Sequence, residues 1–516
     1  MAKYLMGLDC GGTSIKAVVF DEHGTTVGSV TETFKRVSSE GPQYQEFNLT
    51  LAWEATKTVL KKVLDKVGID PKDLLGIGCT SFGNGCTFLG KDGEVIANGC
   101  YSTDYRANDA VQAIKDEGNY GKLCDIVKCE MYSGEPGAIL RWYKMHRPDI
   151  YAKIEHVFCF KDFIAYRLTG VAAADMNCIG GSAMVDLEKL QFSKELMELY
   201  GIPEVYDKLP YLAADSSETI GYVTKEAAEL TGLAEGTAIV AGMMDILACL
   251  VGAGATEKGI FTAIAGTWSI NETYNPDIFY KPGSGIFNMP YLDRSGYLLS
   301  ANTGASASNY EWFMTTLGSV ARKAADQIGI KYAVDTPDIV IVNQIIKSVP
   351  VGGTTVIYHP FVGQPSVHGS AMANFFNIND TTTFAELAYA LAEGVTFIHR
   401  YHYDQLRGGG LDPKVTRLTG GIARSDEWAQ LFADALNTPV ECVACDEVGA
   451  LGLAMCAGIG AGLYKDYDDA IAKCVRLRPR LNPIPGNVKK LDKRYAEWMK
   501  LIETMKPYWD WKAENK

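Results

Sequence analysis

The sequence predicts an α/β protein of two related domains facing each other across a cleft, residues 1–253 and 254–516. Three observations carry that expectation. A chain of 516 residues is too long for one hydrophobic core, so two domains of roughly 200–250 residues are the natural division. Strand-like and helix-like segments alternate as far as residue 250, the pattern of α/β folds. After Gly252-Ala-Gly254 an opening theme of strand, glycine-threonine turn and strand begins again. Gly12-Thr13 marks its first occurrence and Gly266-Thr267 its second.

The elements follow in order. Tyr4 to Asp9 and Ile15 to Phe20 read as strands joined by a glycine turn, and a second turn at Asp21 leads into another strand. A helix follows with Asn48 as N-cap. Leu51, Ala55, Val59, Leu60, Val63, Leu64 and Val67 form its apolar face, and Gly68 stops it. Leu74 to Phe82 is a buried strand ending in a Gly-rich turn. In the second half, Ile260 to Ala265 and Trp268 to Tyr274 repeat the strand pair. Thr383 and Glu386 form a capping box ahead of a long helix. The strand Thr416 to Thr419, the turn Gly420-Gly421 and a helix capped by Ser425 come next. The small-residue run from Gly449 to Leu463 has no strand immediately before it, so it reads as a close-packed helix and not as a dinucleotide-binding turn.

Composition excludes several functions. Net charge is −13, and the only Lys-rich stretch, Lys489 to Arg494, reads as a solvated helix face. Nucleic acid is excluded as a partner, because neutralising phosphates needs concentrated basic residues. Thirteen scattered cysteines, odd in number, point to cytoplasmic thiols and not to a disulfide framework. Cys442 and Cys445 form a lone C-x-x-C without a second pair or a nearby His, which argues against zinc. The N-terminus reads as a strand and not as a signal peptide.

Between Thr237 and Thr256 a single charge, Asp245, interrupts an apolar run. A carboxylate at the middle of a membrane span costs several kcal/mol, so a span is excluded. The run reads instead as a buried strand, Ala238 to Ala241, a turn at Gly242 and a buried helix starting near Asp245. That puts an acid at a strand-to-helix turn facing a cleft, where buried carboxylates are functional candidates or helix caps. Asp9-Cys-Gly11-Gly12-Thr13-Ser14-Ile-Lys16 has the ingredients of a phosphate cradle, namely glycines, hydroxyls and a cation. It is equally a hairpin turn with an exposed lysine. Gly266-Thr267, and the turn from Gly420 and Gly421 to Ser425, repeat the chemistry.

Taken together, these segments resemble the FGGY family of carbohydrate kinases. The resemblance runs in order along GLDCGGTSIKAVVFD, FKDFIAYRLTG, GMMDILACLVGAG, AIAGTWSIN, LAEGVTFIHR and RLTGGIARSDEWAQLFAD. It is most similar to L-xylulose kinases and other pentulose kinases, through Thr103-Asp104-Tyr-Arg106, Gly266-Thr267-Trp268 and Glu311-Trp312-Phe313. The family's fold, two actin-like (ribonuclease H-like) ATPase domains, is therefore expected. The chain departs from the family's xylulokinase and glycerol kinase patterns at Gly83-Asn84, at Ile139, and at Ser425, where an Asn is frequent.

The resemblance implies ATP-dependent phosphorylation of a pentulose of L-xylulose or xylulose type. Asp245 would be the base, ionised with help from the helix N-terminus, and Asp9 the Mg²⁺ ligand. Gly12, Thr13, Ser14, Lys16, Gly266 and Thr267 would hold the phosphates, and Gly421 and Ser425 would border the adenosine. Asn84, Asp104, Arg106, Tyr132 and Trp268 would face the sugar; Asp104 and Arg106 read alternatively as a surface ion pair. Asp175 and Asn177 sit in a family-like turn with either a site or a structural role. A polyol such as glycerol or erythritol is the rival substrate. A nucleotide-dependent sensor or assembly protein on the same fold is the rival of another class. A homodimer is expected only by analogy.

Overall fold

The computed structural model describes residues 3–37, 41–363 and 365–515. Two six-stranded sheets organise it, and their strands are numbered here in chain order. The first sheet contains β1 (Tyr4–Cys10), β2 (Ser14–Asp21), β3 (Thr26–Thr33), β4 (Leu74–Ser81), β5 (Thr219–Tyr222) and β6 (Ala238–Met244), in the spatial order β5-β6-β4-β1-β2-β3. The second contains β7 (Ile260–Ala265), β8 (Ser269–Asn275), β9 (Phe287–Pro290), β10 (Tyr297–Thr303), β11 (Val415–Thr419) and β12 (Val440–Cys442), in the order β9-β10-β8-β7-β11-β12.

The sheets share a plan. In each, a glycine-turn hairpin (β1-β2 or β7-β8) pairs in parallel with a later strand, β4 or β11. Parallel pairing requires a long crossover, which places helices on the sheet faces and buries the strands on both sides. The patterns of β1 and β6 show this, since all of β6 and most of β1 are buried.

Helix α1 (Leu49–Val67) has Asn48 as N-cap, accepting from the Leu51 amide, and Gly68 at φ 65° as terminator. Its buried stripe contains Ala52, Ala55, Thr56, Val59, Leu60, Val63 and Leu64, whereas Leu51 is 45% exposed. Rows spaced by four drift around a helix by about 40° per step. Leu51, three steps before Val63, therefore falls off the stripe it was expected to join.

The apolar run divides into strand and helix, but the strand continues through Gly242 to Met244 before α2 (Asp245–Gly252) begins. Gly242, at φ 72°, sits at a register shift against β4. A Cβ there would lie 2.0 Å from the carbonyl oxygen of Cys79. Among the described residues no helix is long and apolar enough to cross a membrane.

Helix α3 (Phe384–Gly408) opens with the Thr383/Glu386 capping box and fills the second core. Helix α4 (Asp426–Leu436) follows the glycine turn after β11. The small-residue segment forms α5 (Val448–Gly460), which packs on the first sheet and on α2 despite lying in the second half of the chain. A Cβ on Gly7 would lie 2.3 Å from the Ala450 carbonyl, and one on Gly452 2.1 Å from that of Ala248. Glycines let these backbones touch, so α5 ties the two halves together beside the cleft. In the final helix (Pro485–Glu514), Lys489, Lys490 and Lys493 are solvated. Arg494 turns inward to Glu393 and the carbonyls of Thr354 and Val356.

Candidate active site

Three side chains fix the strand end that delivers Asp245. Lys161 donates to the Ala241 carbonyl at 2.8 Å, Thr80 donates to that of Met243 at 2.6 Å, and the Met244 amide donates to Asn177 at 3.2 Å. Lys161 is itself held by Asp162 and Asp175, both fully buried, and Asp175 caps the short helix Met176–Gly181. Asp175 and Asn177 thus support the site without opening into it.

Asp245 is the first residue of α2, and its Oδ1 accepts the Ile246 amide at 2.8 Å. Its pKa is raised to about 7, first by burial and then by the nearby charge of Asp9; amide donors at the helix start lower it only in part. The expectation that the helix N-terminus keeps Asp245 ionised is therefore corrected. Desolvation and like charge outweigh the amides of a two-turn helix.

Asp9 pairs across the hairpin with Lys16. Its carboxylate accepts no hydrogen bond from a described residue, and its pKa is raised to about 6 by burial, against Lys16 and with Glu447. Both acids sit on the floor of a cleft, walled by protein with one edge still open to water. Lys16 is neither an exposed hairpin lysine nor a free cation. Its Nζ lies 2.6 Å from both carboxylate oxygens of Glu447, just before α5, so the pair bridges the cleft floor. Gly12 is packed under the ring of Tyr101, whose hydroxyl donates to the Gly12 carbonyl; Thr13 is exposed, and neither it nor Gly12 or Ser14 lines the cavity around Asp9.

In the second half, Thr267 and Trp268 are exposed, no atom lies within 4 Å of where a Gly266 Cβ would be, and none of the three lines either cavity. Gly420, at φ 90°, seats its turn against the Ala265 carbonyl, 2.5 Å from where a Cβ would be. A cavity of about 170 Å³ brings together Asp9, Lys16, Thr80, Asp245, Ile264 and Gly420. Through Thr419, Gly420 and Asp446 it adjoins a second, of about 290 Å³, bordered by Gly421, Ala423, Arg424, Cys445 and Arg478. Ser425 is not part of that lining. Its hydroxyl accepts the Trp428 amide as the cap of α4, and that role uses it.

On the other wall, Asn84 stands at φ 60° on a loop whose Gly83 rests on Met244, next to Asp245. The Gly85 amide donates to the Gly134 carbonyl, which sets the loop of Tyr132 beside it. Tyr132 and Trp268 are about two-fifths exposed, each from its own half. Asp104 and Arg106 are neither a surface pair nor open to the cleft. Arg106 donates to both Asp104 oxygens and to Glu46, under the rings of Tyr44 and Trp142. Asp104 also accepts the amides of Gln45 and Arg106. Its charge is used up inside the domain, the geometry a buried pair needs to offset desolvation.

Sequence reasoning missed Glu447, Asp446, Thr80, Thr419 and Glu272. Glu272 on β8 is fully buried, and neither carboxylate oxygen has a partner among the described residues. Burial, and then Asp245, push its pKa well up. Its place in a strand already identified, on the same face as Ile270 and Tyr274, was the available signal.

Comparison with known proteins agrees with this geometry. The N-terminal domain model of the FGGY family of carbohydrate kinases matches residues 4–252, and the C-terminal domain model matches residues 261–461. Escherichia coli (strain K12) L-xylulose/3-keto-L-gulonate kinase is 27% identical over 508 residues, covering 98% of each chain. A probable L-xylulose kinase of Pasteurella multocida (strain Pm70) is 28% identical, covering 98% of this chain and 99% of its own. The ligand-bound xylulose kinase structure from Lactobacillus acidophilus superposes with a TM-score of 0.85 at 21% identity, covering 98% of both chains. The chain belongs to the FGGY family and is an ATP-dependent sugar kinase with the family's two-domain fold.

Proposed function

We propose that this kinase phosphorylates a pentulose of L-xylulose or xylulose type, with Asp245 as general base and Mg-ATP as phosphoryl donor. The carrying observation is the cleft floor, where Asp245 lies beside Asp9 in a cavity that continues to Gly420 and Gly421. Phosphoryl transfer needs the acceptor hydroxyl in line with the γ-phosphate, charge stabilisation and a proton acceptor. A carboxyl with a pKa of about 7 is matched to taking that proton at neutral pH. Asp9, with free lone pairs, suits a Mg²⁺ shared with the phosphates, since Mg²⁺ takes one or two carboxylates and keeps waters. When bound, the ion would supply positive charge to the phosphate oxygens, and neutralising Asp9 would relieve its repulsion of Asp245.

Thr13, Ser14 and the turn from Gly266 to Thr267 would donate to phosphates, with Gly12 shaping the first turn. Lys16, already paired, would contribute position more than charge. Gly420 and Gly421 would lie against the adenosine, with Ser425 holding the helix behind them. Asn84, Tyr132 and Trp268 would contact the sugar, with Asp104 and Arg106 supporting that wall from within. Closure of the halves would exclude water from the transferred group. The resemblance to L-xylulose kinases at 27–28% identity favours a ketopentose. Thirteen unpaired thiols suit a cytoplasmic protein.

A coupled assay over ketopentoses, ketohexoses and polyols tests the substrate. At least a tenfold preference in kcat/KM for a ketopentose is expected, and a tenfold preference for glycerol or erythritol refutes it. Asp245→Asn should lower turnover by about 10²–10⁴ while ADP still binds by calorimetry. Near-wild-type turnover in that variant refutes the base.

A further inference from the structure

Behind the Gly266–Trp268 turn lies a chain of buried polar side chains that the chemistry above does not use. His399 and His402, one turn apart on α3, are both fully buried. His399 Nδ1 lies 2.7 Å from Asn271 Oδ1, and its Nε2 lies 3.1 Å from the Ser306 hydroxyl. His402 Nδ1 lies 3.0 Å from Asn271 Nδ2 and 3.1 Å from the Ser269 hydroxyl, and its Nε2 lies 3.1 Å from the Ser366 hydroxyl.

The proton positions follow from one fixed acceptor. Asn271 Nδ2 also reaches the carbonyl of Ala301 at 3.4 Å, and a carbonyl only accepts, so the amide nitrogen must stand on that side. Asn271 Oδ1 therefore accepts from His399 Nδ1, while its two amide hydrogens face the Ala301 carbonyl, the Ser269 hydroxyl at 3.2 Å and His402 Nδ1. A proton on His402 Nδ1 would point at that amide nitrogen, so Nδ1 is the accepting side. His402 carries its proton on Nε2 and donates to Ser366. His399 carries its proton on Nδ1 and accepts from Ser306. The two rings are neutral and of opposite tautomer, and burial agrees, holding His402 down to about 3 and His399 well below its ordinary value.

This chain meets the turn at both ends. Ser269 directly follows it. The Ser306 amide donates to the Thr267 carbonyl at 3.3 Å, and the Ala307 amide donates to the Gly266 carbonyl at 2.8 Å. In a trans peptide the N–H points opposite to the C=O. Drawing the carbonyls of Gly266 and Thr267 back onto residues 306 and 307 therefore turns the amides of Thr267 and Trp268 the other way, out of the protein body. Two such amides form an anion-binding concavity.

We infer that the relay Ser306–His399–Asn271–His402–Ser366 is a positioning device that sets the Thr267 and Trp268 amides for a nucleotide phosphate. It rests on reading this turn as the second phosphate site. A side-chain relay anchored on a 25-residue helix holds the turn more stiffly than two backbone bonds would, and neutral rings add no charge to repel or trap the phosphate.

His402→Leu removes a donor and an acceptor; His402→Gln keeps one of each. His402→Leu should raise the KM for ATP about tenfold, with sugar KM within twofold and kcat within threefold. His402→Gln should recover most of that loss. Ser306→Ala, which leaves the helix intact, should raise the ATP KM several-fold and serves if His402→Leu does not fold. A lowered melting temperature with unchanged ATP KM in both His402→Leu and Ser306→Ala overturns the inference. Gly266→Val, at a position with open space around it, separates the two readings. If it leaves the ATP KM unchanged, the phosphate assignment fails. If it raises the KM while the relay variants do not, only the positioning role fails.

Discussion

The two hairpins that open the halves of this kinase have the same topology and opposite chemistry. One pair back from the turn, the first hairpin sets Asp9 across from Lys16, whereas the second sets Ile264 across from Ile270. Both Asp9 and Ile264 line the cleft cavity. The parallel strands beside them diverge as well: β4 ends in the Asn84 loop near Asp245, and β11 ends in the Gly420-Gly421 turn at the second cavity. The first half carries Asp9 and Asp245. The other supplies glycine turns, an apolar hairpin face, the buried Glu272, and Asp446 and Glu447 at the cavity, the latter paired with Lys16. A carboxylate in place of Ile264 would add another like charge to the cavity that holds Asp9 and Asp245, raising their pKa values further. Keeping the second hairpin apolar limits the like charge around Asp245.

Exchanging the hairpins' chemistry should have the largest effect. Asp9→Asn removes the carboxylate proposed to face the metal ion and is expected to lower kcat/KM by about 10²–10³, a loss typical of removing one electrostatic element of an active site. Ile264→Val, at the equivalent position, should stay within threefold of wild type. Steady-state kinetics on both variants reads the contrast, and comparable losses would dissolve it.

Much of this division was legible in the sequence, for physical reasons that differ by element. Helix α1 and the capping box of α3 are written in local chemistry, Asn48 with Gly68 and Thr383 with Glu386, so their ends could be read directly. Asp245 stood out because one charge in an apolar run demands an explanation. What escaped is what distant segments do to one another. Nothing near Lys16 announces Glu447, which lies 431 residues away. Asp104-Tyr-Arg106 looks like a polar surface motif until Glu46, Tyr44 and Trp142 close over it. The ionisation state of Asp245 was misjudged because it depends on the nearby charge of Asp9 and on depth, neither of which is local.

The glycines that seat the two loops should differ next. A Cβ on Gly420 meets the Ala265 backbone at 2.5 Å, at φ 90°. A Cβ on Gly83 meets only the Met244 methyl end, at 2.3 Å, and has no such φ. Backbone cannot yield, but a thioether can. Gly420→Ala should raise the ATP KM about tenfold, for a strain of roughly 1–3 kcal/mol. Gly83→Ala should change the sugar KM by no more than about threefold. The reverse order would mean that the Asn84 loop, and not the Gly420 turn, is the rigid one.

The smallest effect concerns the free enzyme and the sign of a pH dependence. Asp245 is raised to about 7 in the folded protein from an ordinary value of 3.8. Between those values the folded state holds a proton that the unfolded state has released, so stability falls as pH rises through that window. Above pH 7 the folded chain carries an ionised, half-desolvated carboxylate near Asp9, a penalty on the order of 2 kcal/mol once water in the cleft is allowed for. Asp245→Asn removes that penalty. The variant should therefore melt about 2 °C above wild type at pH 8 and level with it near pH 4, without nucleotide. A variant less stable than wild type at pH 8 would show that the ionised carboxylate is held by favourable contacts. The strain between the two acids would then not be what sets Asp245 near neutrality.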